Sequence, residues 1–116
     1  MKVMRIESNT GTADLDKAAA FCGGILGLEM LMDHGWFQTY GSGESMTVQV
    51  SLGAQGGSGT AVPDLFMEVD DLEAALARFE GARGPLEYGP VSEPWGVRRF
   101  YVRDPFGKLI NILQHE

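Results

Sequence analysis

The stretch EPWGVRRFYVRDPFGKLINIL, residues 93–113, decides the fold of this chain. It contains two runs in which apolar and polar residues alternate, which is the pattern of β-strands. Between the runs lies the segment DPFG, residues 104–107. Asp at the first place of this segment, Pro at the second and Gly at the last favour a tight turn. The stretch therefore predicts a β-hairpin, entered through a Trp-Gly pair.

The pairing of this hairpin decides which side chains share a face of the sheet. If Arg103 pairs with Lys108, Phe100 lies on the same face as Asn111, and we expect that face to line a cavity. Tyr101 then lies on the opposite face, beneath a helix. A slip of one residue in the pairing would exchange the two faces, because successive side chains of a strand point to opposite sides.

Two amphipathic passages, DLDKAAAFCGGILG and DLEAALARFEGARG, begin at Asp14 and Asp71, about half a chain length apart. Apolar residues recur in both at the spacing of an α-helix, and Asp is a favoured N-cap residue. We expect Gly27 to end the first helix and Gly81 to end the second. Cys22 lies on the apolar stripe of the first helix, which predicts a buried thiol.

Each helical passage follows one extended run and precedes three strand-like runs, so that both halves have the order strand, helix and three strands. We predict an α+β fold of two tandem βαβββ modules, residues 1–53 and 62–116, within a single domain, residues 1–116. The glycine-rich segment between them, residues 54–61, suits a flexible linker. Neither module alone is long enough to bury a stable core, so we expect the two to pack together.

Size and composition limit the possible functions. The chain has 116 residues, of which 44% are hydrophobic and 22% are charged, as in ordinary globular domains. Its net charge of −7 disfavours a nucleic-acid partner and suits a cationic ligand, although net acidity also serves solubility alone. No stretch is apolar for long enough to cross a membrane or to act as a signal peptide, so we expect a cytoplasmic protein.

Three passages together resemble the glyoxalase/bleomycin resistance/dioxygenase superfamily, which is also called the vicinal oxygen chelate (VOC) superfamily. They are ADLDKAAAFCGGILGLEM (13–30), VDDLEAALARFE (69–80) and the hairpin stretch 93–113. The resemblance implies the glyoxalase/bleomycin resistance fold, in which two βαβββ modules form curved mixed sheets around a central cavity. It also implies a homodimer, because members of this length usually dimerise, often with their sites at the subunit boundary.

The resemblance further implies four positions at which metal-dependent members hold a divalent ion. They are Glu7, Asp64 and Asn111, counted from the two helix-capping Asp residues and from the Asp of the turn, with Gln49 on the fourth strand. None of the four is a histidine, the nitrogen donor of the iron, zinc and nickel sites of the superfamily. Carboxylate and amide oxygens also suit Mg²⁺, Mn²⁺ or Ca²⁺, but two carboxylates supply little charge for such an ion. We therefore expect no cofactor.

The spacing of PWG and RDPFG in the hairpin stretch is similar to that of bleomycin-resistance proteins. This similarity implies a ligand groove at the dimer interface, in which aromatic rings stack on a cationic drug. Trp36, Phe37 and Trp95 are the candidate stacking residues, and packing in the core or in the interface is the alternative for the tryptophans. The full set of predicted ligand-binding residues is Glu7, Trp36, Phe37, Gln49, Asp64, Trp95, Phe100 and Asn111.

These patterns predict a metal-free, small-molecule binding protein of the antibiotic-resistance type. The alternative is a lyase, isomerase or hydrolase of the same superfamily, which uses an oxygen-ligated divalent metal or Glu7 as a general base. Burial in a cavity raises the pKa of a carboxylate and so suits Glu7 to that role. Arg98, Arg99 and Arg103 either hold an anionic substrate or form solvated salt bridges, as alternating arginines on a strand more often do.

Overall fold

The structure, a computed structural model, describes residues 1–43, 48–82, 84–103 and 105–116. Over these residues both halves of the chain have the order βαβββ, and the predicted α+β fold class is confirmed. The first half contains β1 (Val3–Gly11), α1 (Leu15–Ala18), a π-helical segment (Ala19–Ile25), β2 (Glu29–Asp33), β3 (Phe37–Ser42) and β4 (Val48–Gly53). The second half contains β5 (Leu65–Val69), α2 (Leu72–Gly81), β6 (Tyr88–Glu93), β7 (Val97–Arg103) and β8 (Leu109–His115).

The chain divides into two compact units. The N-terminal unit is Glu7–Val62, and the C-terminal unit is Met1–Ile6 together with Pro63–Glu116. In the N-terminal unit the strands lie in the order β2-β3-β4-β1, with β1 parallel to β4. In the C-terminal unit the order is β5-β8-β7-β6, with β5 parallel to β8. Each unit therefore contains a mixed sheet of four strands in the same relative order.

Both helical passages begin where the sequence predicts. The side chain of Asp14 accepts a hydrogen bond from the Lys17 amide, and that of Asp71 accepts one from the Ala74 amide. Each Asp therefore satisfies an amide that the first helical turn leaves without a partner. In the described parts of the chain, no helix has the length and apolar character that crossing a bilayer requires.

The first helical passage differs from the regular helix that the sequence predicts. After one α-helical turn the chain widens into a π-helix, in which the Leu26 amide donates to the Phe21 carbonyl five residues earlier at 3.0 Å. The wider turn moves the end of the apolar stripe away from the core, so that Ile25 is 74% exposed while Cys22 is 3% exposed. Gly27 ends the passage with a positive φ of 70°, as predicted.

The core of the C-terminal unit lies between α2 and one face of its sheet. Seven buried side chains form it, and Phe79 of α2 packs edge-on against Phe100 of β7 at 5.7 Å between ring centroids. Every second residue of β5, β7 and β8 contributes to this face, as a half-buried strand requires. The seven are Val69, Leu72, Ala75, Phe100, Val102, Ile110 and Ile112.

The pairing of the hairpin is one residue away from the predicted one. Arg103 pairs with Leu109 instead of Lys108, so Tyr101 lies opposite Asn111 and Phe100 lies opposite Ile112. The residues of β7 therefore lie on the faces opposite to those predicted, and the prediction that Phe100 and Asn111 share a face is wrong. Phe100 is 0% exposed and belongs to the core beneath α2, because packing against the helix requires the more apolar face. The predicted turn includes Asp104, which lies outside the described residues.

Candidate ligand site

A buried carboxylate with two hydroxyl partners lies in the N-terminal unit. Glu7 of β1 is 3% exposed, and the Ser51 hydroxyl donates a hydrogen bond to its Oε1. The hydroxyl oxygens of Ser51 and Thr39 are 2.7 Å apart. A serine hydroxyl carries a single proton, which here goes to Glu7, so Thr39 is the donor to Ser51. The three residues form a chain, Thr39 to Ser51 to Glu7, that directs donors toward the carboxylate.

The strand pairing brings these three side chains together. Ser51 of β4 lies opposite Thr39 of β3 and, on its other side, opposite Asn9 of β1. Glu7 lies two residues before Asn9, on the same face of β1, and so reaches Ser51 diagonally. Gln49 is on the same face of β4, opposite Gly41.

Sequence reasoning selected Gln49 and missed Ser51 and Thr39. The sequence feature that marks Ser51 and Thr39 is a hydroxyl residue at the inward position of each of two adjacent strands, where an apolar residue is more usual. Ser51 is 0% exposed, and a buried hydroxyl in a strand has a hydrogen-bond partner in nearly all proteins.

The candidate stacking residues of the N-terminal unit differ in accessibility. Trp36 is partly exposed and stacks on the His34 ring, with 5.4 Å between centroids and an interplanar angle of 15°. Phe37 is 2% exposed. A Cβ at Gly53 would lie 2.4 Å from its ring, so the close approach of the β4 backbone covers this side chain. Trp36 is thus partly accessible, whereas Phe37 is a core residue.

In the C-terminal unit, the Asp64 carboxylate is bonded to the backbone of β8. Its Oδ2 accepts the Leu109 amide at 2.7 Å, and its own amide donates to the Leu109 carbonyl at 2.8 Å. These two bonds join the start of β5 to the start of β8. The pair has a clear structural role, and it occupies part of the capacity of Asp64 to bind a ligand.

Asn111 lies on the face of β8 that points away from α2. Phe66 of β5 and Tyr101 of β7 are its partners in the adjacent strands. Its side chain is 2% exposed, and its Oδ1 accepts no hydrogen bond within the described part of the chain. A buried carbonyl oxygen without a donor is uncommon, because it costs about 1–3 kcal/mol relative to a satisfied one.

A buried cation surrounded by aromatic rings lies on the same face. The Arg99 guanidinium pairs with Glu93 at 2.9 Å, and both side chains are 2% exposed. Its Cζ lies 5.3 Å from the ring centroid of Tyr88, 5.0 Å from that of Trp95 and 4.9 Å from that of Tyr101. We call these five residues the Arg99 cluster. The ring of Trp95 therefore contacts a cation of its own chain.

The three arginines of β7 each form an ion pair with a glutamate. Arg98 pairs with Glu73 at 2.9 Å and Arg103 with Glu87 at 2.6 Å, and all four of these side chains are at least one-third exposed. The hydrogen bond that Arg103 donates to Glu87 raises the pKa of Arg103. The interpretation as solvated salt bridges is therefore right for these two pairs, whereas the pair of Arg99 is buried.

The side chains at the four predicted metal positions suit hydrogen bonding better than metal binding. Among the residues that the structure describes, no three His, Cys, Asp or Glu side chains are grouped as a metal site would need. Of the carboxylates at the four predicted positions, Glu7 already accepts from Ser51 and Asp64 from Leu109. Divalent ions of the Mg²⁺ and Ca²⁺ kind take six or more oxygen ligands, several of them charged.

Residues 9–112 match the family model described as the Glyoxalase/Bleomycin resistance protein/Dioxygenase superfamily. No curated protein matches the chain significantly.

Solved structures share the fold. A Legionella pneumophila protein described as an NAD-dependent benzaldehyde dehydrogenase has a TM-score of 0.78 at 14% identity, covering 97% of this chain and 100% of its own. A Vibrio splendidus member of the same superfamily has a TM-score of 0.71 at 20% identity, covering 95% and 97%. The methylmalonyl-CoA epimerase of Mycobacterium tuberculosis has a TM-score of 0.68 at 19% identity, covering 98% and 89%. At these identities the likeness concerns the fold alone.

Proposed function

Because the chain belongs to the Glyoxalase/Bleomycin resistance protein/Dioxygenase superfamily, we propose that it is a small-molecule binding protein that needs no metal ion. The single observation that carries the proposal is the buried Oδ1 of Asn111, which lacks a donor within the described residues. A ligand with an N–H, O–H or ammonium group supplies that donor. The aromatic neighbours Phe66 and Tyr101 favour a ligand whose remaining surface is flat and apolar.

The proposed ligand is cationic and of the antibiotic type. A net charge of −7 attracts cations over long range, and the amide oxygen of Asn111 accepts a hydrogen bond from an ammonium or amide group. Trp36 offers a partly exposed aromatic ring for contact with the ligand, and this ring already stacks on His34. The metal-free part of the proposal is supported by the carboxylates of Glu7 and Asp64, which accept hydrogen bonds from a hydroxyl group and a backbone amide.

We propose that the protein acts as a homodimer with its ligand groove at the subunit boundary. Support comes from apolar side chains at the start of the chain, where Val3 is 49% exposed and both Met4 and Ile6 are 61% exposed. Neighbouring exposed apolar side chains are frequent at protein–protein interfaces. Sedimentation of the purified protein over a range of concentrations measures the mass, and a monomer at every concentration would contradict this part.

Binding is tested with metal-free bleomycin and with the flat cation proflavine. A probe present at one hundred times its dissociation constant should add about 2.7 kcal/mol to the free energy of unfolding, which a thermal shift detects. The Asn111→Leu variant should lose most of this shift. Its unliganded form should be at least as stable as the wild type, because an apolar group replaces an unsatisfied buried acceptor.

The matched control is Arg98→Ala, which removes an exposed ion pair on the face that carries α2. It should bind the probes as the wild type does. If neither probe shifts the melting temperature, the antibiotic-type ligand is wrong. If Asn111→Leu binds a probe as tightly as the wild type does, Asn111 does not bind the ligand, and the buried Oδ1 of Asn111 no longer supports the proposal.

The second candidate is an enzyme in which Glu7 is a general base. It is favoured by the hydroxyl chain from Thr39 through Ser51, which holds the buried carboxylate in one orientation. Glu7 would take a proton from a carbon next to a carbonyl group and return a proton taken from solvent. Exchange of that hydrogen in methylmalonyl-CoA, dissolved in D₂O with the protein and followed by NMR, tests this reaction. Glu7→Gln should abolish the exchange and keep the fold; exchange that persists would exclude Glu7 as the base.

A further inference from the structure

A pocket opens on the face of the C-terminal unit that carries α2. Its volume is about 440 Å³, within the range of about 300–1,000 Å³ that is usual for small-molecule sites. Phe79 of α2 borders it, and α2 ends two residues later at Gly81, so the ends of the strands beyond the helix stay partly uncovered. The lining residues are Leu65, Met67, Phe79, Val102, Arg103, Pro105, Ile110 and Ile112.

This pocket lies on the opposite face of the sheet from the site around Asn111. Its β8 lining residues are Ile110 and Ile112, which flank Asn111 in the chain and point the other way. On β7 it is lined by Val102 and by Arg103, the last residue of the strand, whereas Tyr101 faces Asn111. A ligand here therefore makes none of the contacts of the proposed cationic ligand, and the inference does not rest on the proposed function.

Among the lining residues that the structure describes, Arg103 is the one with a charge. Its Nε donates to Glu87 at 2.6 Å and its Nη1 donates to the Gly107 carbonyl at 3.0 Å, which are its hydrogen bonds within the described part of the chain. A guanidinium has five N–H donors, so others are available to an anion that approaches from the pocket. The pair with Glu87 is about half exposed and therefore easily rearranged.

We propose that this pocket binds a small amphiphile, with its apolar tail between Phe79 and the strands and its carboxylate head on Arg103. The seven other lining residues are apolar and offer a polar ligand no side-chain hydrogen bond. An aliphatic tail needs none, and its transfer from water drives binding. A guanidinium matches the geometry of a carboxylate, so contact with Arg103 fixes the direction in which the molecule enters.

The tail is tested with hexanoate, octanoate and decanoate, titrated into isotopically labelled protein and followed by NMR. Each added methylene that enters the pocket should lower the dissociation constant about fourfold. Amide shifts should concentrate at Phe79, Val102 and Ile110. Equal affinities across the series, or shifts centred on Tyr101 and Asn111, would overturn the proposal.

The head is tested by comparing decanoate with decanol. Arg103→Gln should weaken decanoate about two- to fivefold, as expected for an exposed ion pair, and leave decanol unchanged. The control Arg98→Gln, on the same strand, should change neither affinity. Equal binding of decanoate by Arg103→Gln and the wild type would remove the head group from the proposal.

Filling the pocket provides the last test. Leu65→Trp occupies the space and should abolish the binding of decanoate, while the binding of proflavine on the other face is kept. If Leu65→Trp does not fold, as judged by circular dichroism, the smaller change Met67→Phe is used in its place. Binding of decanoate by a folded, filled variant would show that the tail lies elsewhere.

Discussion

The ion pair between Arg99 and Glu93 is the residue-scale feature from which we expect a large effect on folding. Both side chains are 2% exposed. Glu93→Gln removes one charge without changing the shape of the side chain, and the three rings of the Arg99 cluster offset only part of the loss. We expect the free energy of unfolding to fall by about 3–5 kcal/mol, measured by urea denaturation, because the buried guanidinium loses the charge of the carboxylate that pairs with it.

Glu73→Gln is the control, since Glu73 is 67% exposed and pairs with Arg98, the neighbour of Arg99. That change should cost at most about 1 kcal/mol. Similar losses in the two variants would mean that water reaches the Arg99 guanidinium in solution.

At the same scale, the sequence did not predict on which face of the sheet each residue of β7 lies. Asn111 was selected by a count from the turn, and it is indeed buried. Phe100 was assigned to the wrong face. A hairpin of this length admits two pairings, and the alternating pattern of β7 is compatible with both. Packing against α2 decides between them, and that contact involves residues far apart in the chain.

At the scale of elements, the start of the chain is joined to the residues before α2 by two hydrogen bonds. The Lys2 amide donates to Asp70 Oδ1 at 2.6 Å, and the Asp70 amide donates to the Lys2 carbonyl at 3.1 Å. The hydrogen bond from the Lys2 amide lowers the pKa of Asp70 below its usual 3.8, and the N-terminal ammonium adds to this effect. The ionised carboxylate therefore helps to hold the first residues in place.

A lowered pKa gives stability that is present above pH 3.8 and is lost as the pH falls through the lowered value. Asp70→Asn should therefore be less stable than the wild type at neutral pH. The difference should shrink as the pH drops below 3.8. Urea denaturation at several pH values measures it, with Glu80→Gln, an exposed change on α2, as the control. A difference that stays constant down to acidic pH would contradict the assignment.

The two helical passages show which features of a helix the sequence pattern predicts and which it does not. Both helix starts were predicted from a single Asp, because an N-cap bond is local. The π-helix was not predicted, because the apolar spacing of the first passage fits an ordinary α-helix. Gly23 and Gly24 weaken that helix by their backbone freedom, which permits the wider turn without requiring it.

At the scale of the whole molecule, the two helical passages should differ in their resistance to opening. The core between α2 and its sheet contains seven buried residues, whereas α1 and the π-helical segment bury only Ala18 and Cys22. Amides that depend on few buried contacts exchange through local opening. Hydrogen exchange measured by mass spectrometry should therefore protect the amides of α2 and β8 most and those of residues 19–25 least. Equal protection of the two passages would contradict this order.

The fold could be predicted from the sequence because the two halves of the chain repeat one pattern. Each half has its own helix N-cap, its own apolar helical stripe and its own strand-like runs. The ligand could not be predicted in the same way. Its chemistry depends on which faces carry Asn111 and Ser51, and the two residues pair with strands far away in the chain, Asn111 with β5 and Ser51 with β1. The superfamily scaffold also supports many chemistries, so membership leaves the ligand open.

The chain has two tryptophans, and one falls in each compact unit: Trp36 in the N-terminal unit and Trp95 in the C-terminal unit. Their surroundings differ, since one ring stacks on an imidazole and the other lies against a guanidinium. Intrinsic fluorescence can therefore observe the units one at a time. In Trp36→Phe the emission comes from the C-terminal half alone, and in Trp95→Phe from the N-terminal half. The molecule thus contains its own pair of optical reporters, and no dye has to be attached to learn which half responds to a ligand.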